Sequence, residues 1–152
     1  MITSLNEKEC STLLANNYLG YLSYIYKSEP FVVPITYYFD NKSTVICYSN
    51  EGHKSKAIRI NKKVALVTSS IKDLNTWKSV QARGICEELF GSSIKASLRD
   101  FTKGIKDIAL QNKNLKFNFL NDFSNKVDNK TMHIVFKIHI TNLVGKSCFY
   151  NA

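Results

Sequence analysis

The sequence predicts a mainly β fold of the α+β class, with about six mostly antiparallel strands closed into a barrel and helices outside. Three observations carry this prediction. Apolar and aromatic runs of strand length follow one another in meanders, broken by turn chemistry such as Lys27-Ser28-Glu29-Pro30 and Asp40-Asn41-Lys42-Ser43. Helical spacing is confined to one terminal stretch, one short stretch between two apolar runs and one long stretch. Strands therefore outnumber helices, which points to a barrel.

The first helix is expected from about Leu5 to Asn16, with Ser4 and Glu7 in capping-box spacing and Leu5, Cys10, Leu13 and Leu14 along one stripe. Leu19 to Tyr26 is aromatic and β-branched, hence a strand, and Phe31 to Phe39 returns from it as a hairpin. Pro34 cannot donate to a ladder, so an edge, a bulge or an interrupted pairing is expected there. Thr44 to Ser49 is the third strand and Lys63 to Ser69 the fourth, followed by a polar link, Ser70 to Asn75. In the long run Thr76 to Leu89, Trp77, Ser79, Gln81, Arg83 and Ile85 alternate with Lys78, Val80, Ala82, Gly84 and Cys86. Gly84 marks a bend or the close approach of another backbone. Ser92 or Ser93 opens the long helix, whose buried face is Ile94, Leu98, Phe101, Ile105 and Ile108, with Gly104 as a weak point. Asn112 to Lys130 is polar with scattered aromatics and reads as a loop or short helix. In the last strand, Thr131 to Thr141, Met132, Ile134, Phe136, Ile138 and Ile140 point inward while His133, Lys137 and His139 point out.

Length and composition bound the function. A chain of 152 residues with 44% hydrophobic and 12% aromatic content is one folded domain, spanning residues 1–152. No apolar run approaches the roughly 20 residues that span a bilayer. The N-terminus lacks a basic n-region and an apolar h-region, so a cytoplasmic protein with no membrane partner is expected. Cys10, Cys47, Cys86 and Cys148 are widely separated, and His53, His133 and His139 form no ligand cluster with them. They read as buried or idle thiols, and no metal site is expected. The net charge of +9 raises a nucleic-acid reading, but it comes mostly from dispersed lysines, with only Arg59, Arg83 and Arg99 beside them. A solvated Lys- and Asn-rich surface is the preferred account, with no nucleic acid bound.

The most informative stretch is Ser49 to Val64. A strand ends at Ser49, Gly52 allows a turn, and Ser55 can cap a short helix carrying Ala57, Ile58 and Ile60. That arrangement aims backbone N–H groups, a helix start and the Lys54 ammonium at one spot, as an anion such as a phosphate requires. Gly-x-Lys is also common in turns, where the lysine is simply solvated.

Five pieces of sequence then occur in order. They are Leu19-Gly20-Tyr21-Leu22; Pro30-Phe31-Val32-Val33-Pro34-Ile35-Thr36-Tyr37; Gly52-His53-Lys54 with Ile58-Arg59-x-Asn61-x-x-Val64; Trp77-Lys78-Ser79-Val80 with Arg83-Gly84; and Phe136-Lys137-Ile138-x-Ile140-x-x-Leu143-x-Gly145-Lys146. In these the chain resembles the pyridoxamine 5′-phosphate oxidase-like FMN-binding split barrels, nearest the small flavoproteins related to nitroimidazole-resistance proteins.

The resemblance implies a six-stranded antiparallel split β-barrel with flanking helices, a homodimer holding FMN at the subunit interface. It implies a phosphate at Lys54, with Gly52 and His53 lining the loop and Ser49 and Asn50 as further donors. Pro34, Ile35, Thr36 and Tyr37 would run along the flavin, with backbone groups reading its polar edges. Ser79 and Val80 would lie near the ring or ribityl chain, with Trp77 packing nearby. Arg59 braces the short helix on this reading, and Trp77 and Tyr37 suit a core or interface as well as a cofactor. The implied activity is an FMN-dependent oxidoreductase that reduces a small-molecule acceptor with NAD(P)H. The alternatives are a haem-binding split barrel, in which His53, His133 or His139 supplies an axial ligand, and a non-catalytic flavin-binding module. No basic and aromatic set corresponds to pyridoxamine phosphate recognition. Because a flavin brings its own redox chemistry, no acid–base dyad needs to be visible.

Overall fold

A computed structural model of the chain describes residues 1–111 and 133–150. Its elements are β1 (Ile2–Leu5), α1 (Glu7–Ala15), β2 (Leu19–Tyr26), β3 (Glu29–Phe39), β4 (Thr44–Asn50), α2 (His53–Ile60), β5 (Lys63–Asp73), β6 (Thr76–Glu88), α3 (Ser92–Gln111) and β7 (His133–Phe149). The strand order is β1-β7-β4-β3-β2-β5-β6, and β6 pairs again with β7. Six strands, β2 to β7, thus close into an antiparallel ring with β1 added outside it. The expected split barrel is the observed fold.

Alternation along the strands builds the interior. Leu22, Tyr24, Ile35, Tyr37, Val45, Cys47, Leu66, Val80, Ala82 and Ile138 all point inward and are buried. The opposite faces of β4 and β7 are covered too. Ile46 and Val135 lie under the apolar stripe of α3, where Leu98, Phe101 and Ile105 complete a second cluster with Ile94 at its edge. Gly104 faces the Tyr38 ring, which leaves no room for a β-carbon. The glycine that weakens the helix in isolation is what lets it sit down on the sheet. All four cysteines are buried free thiols, and burial pushes Cys86 up to about 12, away from reactive thiolate.

Several boundaries differ from expectation. Residues 2–5 pair with 145–148 of β7, so Ser4 belongs to a strand and caps nothing. Asn6 caps α1 instead: its side chain accepts from the Glu9 N–H at 2.8 Å while Glu9 accepts from the Asn6 N–H at 2.8 Å. The β2–β3 turn tightens to Lys27 and Ser28, both at positive φ of 49° and 63°, so β3 starts two residues early. β5 continues to Asp73, which shortens the polar link. β7 runs on to Phe149 past a register shift opposite Arg83 and Gly84. Pro34 pairs with Tyr21 of β2 without a shift, but the β3–β4 ladder covers only Tyr37 to Phe39, which is the interrupted pairing its missing N–H predicts. The expected loop at Asn112 to Lys130 and the start of the last strand at Thr131 lie outside the described residues.

Candidate functional site

The β4–α2 turn is held from three sides. Ser55, expected as the helix cap, is instead buried inside the first turn: its hydroxyl accepts the Gly52 N–H at 2.9 Å and lies 2.9 Å from Glu51 Oε1. Gly52 takes an extended φ of 174°, which any residue adopts, and a β-carbon there would meet open space. The turn therefore does not depend on glycine, contrary to expectation. Arg59, in the last turn of α2, grips Glu51 with Nη1 and Nη2 at 2.6 and 2.9 Å and Glu88 of β6 with Nε and Nη2, both at 2.8 Å. The paired carboxylates hold the guanidinium strongly in its charged form, and Arg59, first of its causes, holds the Glu51 carboxyl below the usual range. This is the bracing role expected of Arg59.

A prediction follows from the sign of that shift. A depressed carboxylate pKa contributes stability above its unfolded value and loses it as the pH falls through the folded one. In Arg59→Ala, the Glu51 titration should move up toward the ordinary carboxylate range, and α2 amides should exchange faster than in wild type. NMR titration and hydrogen exchange check both, and an unmoved Glu51 midpoint would refute the clamp.

Lys54 is half-buried, and no ion pair or hydrogen bond is found for it among the described residues. Desolvation lowers its pKa, with the buried Cys47 thiol as a minor opposing influence. The neighbouring His53 is exposed at its outer side but anchored at the other. Its Nδ1 lies 2.9 Å from the Tyr24 hydroxyl, and its ring meets Tyr26 edge-on and Phe31 at a tilt, both with centroids 4.8 Å away. Tyr24 and Phe31 stack on each other at 5.5 Å. Ser49, buried, turns its hydroxyl to the Asn50 carbonyl at 3.0 Å, and Asn50 is exposed beside it.

The structure thus brings Ser49, Asn50, Gly52, His53 and Lys54 together at one barrel end. The remaining candidates lie along the wall. Pro34 and Thr36 face outward on β3 beside Tyr21 and Leu19 of β2, while Ser79 faces outward on β6 opposite Ser69. Ile35, Tyr37 and Val80 point into the core, so only their backbones remain for a ligand. Tyr37 is committed further: its hydroxyl donates to the Leu14 carbonyl at 2.7 Å and its N–H to the Tyr18 carbonyl at 2.8 Å. Trp77 is half-buried across from Ile71 and Cys148. Sequence reasoning missed Tyr24, Tyr26 and Phe31 as the bed of His53, and alternation on β2 and β3 was the signal that puts all three on the inward side. A separate cavity of about 610 Å³ lies among α2, the end of β6 and the start of β7, lined by Ile58, Arg59, Ile85, Phe90, Phe136 and His139 among others. None of the residues expected to hold FMN lines it, whereas His139, a candidate axial ligand in the haem alternative, does.

A closed antiparallel barrel with a short crossover helix, and a lysine at that helix's start with no ion-pair partner among the described residues, defines a split-barrel protein with a candidate anion site. Residues 6–143 match the pyridoxamine 5′-phosphate oxidase family, and the chain belongs to it. An uncharacterized protein of Rhizobium meliloti (strain 1021) is 32% identical over 85 residues, a match that spans 56% of this chain and only 56% of that protein. Among solved structures, a FAD-binding protein from Mesorhizobium loti is 23% identical with a TM-score of 0.75, covering 99% of this chain and 98% of that one. A candidate 5-nitroimidazole antibiotic resistance protein from Bacteroides thetaiotaomicron is 15% identical with a TM-score of 0.63, covering 97% and 87%. At these identities the structural likenesses speak for the fold.

Proposed function

We propose that the protein binds FMN as a homodimer and serves as an oxidoreductase, passing electrons from a reduced nicotinamide cofactor to a small acceptor. The observation that carries the cofactor reading is Lys54, a half-buried cation with no carboxylate partner among the described residues, in a chain of this family. A desolvated, uncompensated charge is costly unless an anion joins it. On this reading Lys54 holds the phosphate, while the first N–H groups of α2, which have no intrahelical acceptor, complete the cradle. Pro34 and Thr36 line the ring on the outer wall, with Ser79 across the sheet.

That same wall supports the dimer, because it leaves Leu19, Tyr21, Val32 and Ile71 between 53% and 72% exposed. Apolar side chains grouped in this way mark a surface that a second chain would cover. The bound flavin supplies hydride and electron chemistry, and the protein binds, orients and shields it.

The test is the visible spectrum of purified protein, desalted after addition of FMN, FAD or haem, with sedimentation of the loaded form. Retained two-band absorbance with FMN, bleached anaerobically by NADPH, and a mass twice 17.3 kDa are expected. A Soret band in place of flavin absorbance, or no uptake at all, would overturn the reading. Retention of FAD over FMN would correct the phosphate assignment.

A further inference from the structure

We propose that His53 is a second, titratable cation of the anion site, oriented by Tyr24, so that binding of the cofactor phosphate is coupled to proton uptake by the imidazole. The inference rests on the phosphate reading above and deepens it.

The ring is fixed in a way that suits both of its charge states. In the neutral tautomer that carries its proton on Nε2, Nδ1 accepts the Tyr24 hydroxyl proton across the 2.9 Å contact. When protonated, Nδ1 donates to the same Tyr24 oxygen, which accepts as readily as it donates. The 2.9 Å contact therefore survives titration, and Tyr26 and Phe31 keep the ring plane where it is. Charge can change without the ring moving.

Its ring contacts are neutral, and the neighbouring segments add lysines and two carboxylates, Glu51 and Glu29, the latter paired with Tyr26. β2 supplies the Tyr24 and Tyr26 phenols and β3 supplies Phe31. The β2–β3 turn contributes Lys27, whose ammonium lies 5.3 Å from the Tyr26 ring centroid. α2 itself contributes Lys54 and Lys56. Glu51, just before the helix, is engaged by Arg59 and Ser55. No carboxylate contacts the imidazole among the described residues, so the charge that would reward its protonation has to arrive with the ligand. A phosphate monoester, able to carry two negative charges, is that ligand, whereas Lys54 alone offers one positive charge.

A unit charge added within several ångströms of a bound anion is worth about fivefold in affinity even at the dielectric of water, and more at that of a protein surface. FMN is titrated into the purified protein by flavin fluorescence at several values between about pH 5.5 and about pH 8, the range over which an imidazole changes charge. Wild type is compared with His53→Gln, which cannot gain charge, and His53→Lys, which cannot lose it. The free phosphate's second ionisation near pH 6 is common to all three, and the ratio of His53→Lys to His53→Gln measures what the bound phosphate's own ionisation adds.

The expected result is a wild-type advantage over His53→Gln that grows at least threefold as the pH falls, while His53→Lys keeps its advantage across the range. Riboflavin, which has no phosphate, should show no such growth. By reciprocity of linkage, the His53 NMR titration midpoint in wild type should move up on FMN binding by the logarithm of the same factor. Parallel wild-type and His53→Gln curves, or an unmoved midpoint, would overturn the inference while leaving FMN binding intact. Failure of wild type to take up FMN at any pH would instead remove the flavin reading, and this inference with it. Should a variant fail to fold, the wild-type midpoint still decides.

Discussion

Gly84→Val is expected to be the most damaging single substitution in the barrel, costing about 3 kcal/mol or more. Gly84 sits on β6 where the ladder to β7 shifts register: Arg83 pairs with Asn142 but Gly84 pairs with Ile140, leaving Thr141 as the extra residue. Thr141 is held in that position by its hydroxyl, which donates to the Arg83 carbonyl at 3.3 Å. The bulge brings the β7 backbone so close that a β-carbon on Gly84 would collide with the His139 carbonyl oxygen and with Ile138 Cγ2. A flexible neighbour could give way, but a carbonyl oxygen inside a ladder cannot without breaking the β6–β7 seam. That seam closes the ring, so the loss is global.

A lower denaturation midpoint with reduced strand circular dichroism is expected. Gly52→Ala is the control: its backbone is extended and the space beside it open, so it should shift stability by less than about 1 kcal/mol. A Gly84→Val protein as stable as that control would show that the bulge is not tightly built.

What the sequence made legible, and what it hid, divides by range. Alternation announced the two faces of β6 and the inward Ile134, Phe136 and Ile138 of β7, and the 3.6 period announced the buried stripe of α3, because these signals are carried by neighbours in sequence. β1 was hidden because Ile2-Thr3-Ser4-Leu5 has no alternation long enough to read, and only its pairing with residues 145–148 makes it a strand. That distant partner also decided the cap of α1. Ser4 with Glu7 and Asn6 with Glu9 have the same spacing, and the strand took Ser4 away. Val135 looks like an outward residue by period 2, yet it is buried, because α3 covers that wall. At the site, the turn and Lys54 were visible as local chemistry. The Tyr24–His53 contact spans 29 residues, as does the Arg59–Glu88 pair, so both needed the fold to bring them together.

Lys54→Met should separate binding from stability, and its two effects should have opposite signs. Charge-assisted hydrogen bonds to a phosphate contribute about 1.5–3 kcal/mol, so removing the ammonium should weaken FMN binding about ten- to hundredfold and leave riboflavin binding nearly unchanged. The ligand-free protein should lose no stability and should gain some, because methionine keeps the apolar stem and removes a charge that desolvation disfavours.

Linkage gives this a pH signature. The lysine's folded pKa lies below its ordinary 10.5, so between those two values the unfolded chain binds more protons than the folded one. Below that window the folded protein carries the full cost of the buried charge, and the cost is relieved as the pH rises through the folded pKa. The stability advantage of Lys54→Met should therefore be largest near neutral pH and shrink as the pH approaches 10.5. Denaturant midpoints of the two ligand-free proteins across that range measure it directly. A Lys54→Met protein that is less stable near neutral pH, or that holds FMN as tightly as wild type, would show that Lys54 is an ordinary structural lysine. The predicted pattern, weaker for the phosphate and more stable without it, is what a residue kept for binding rather than for folding should produce.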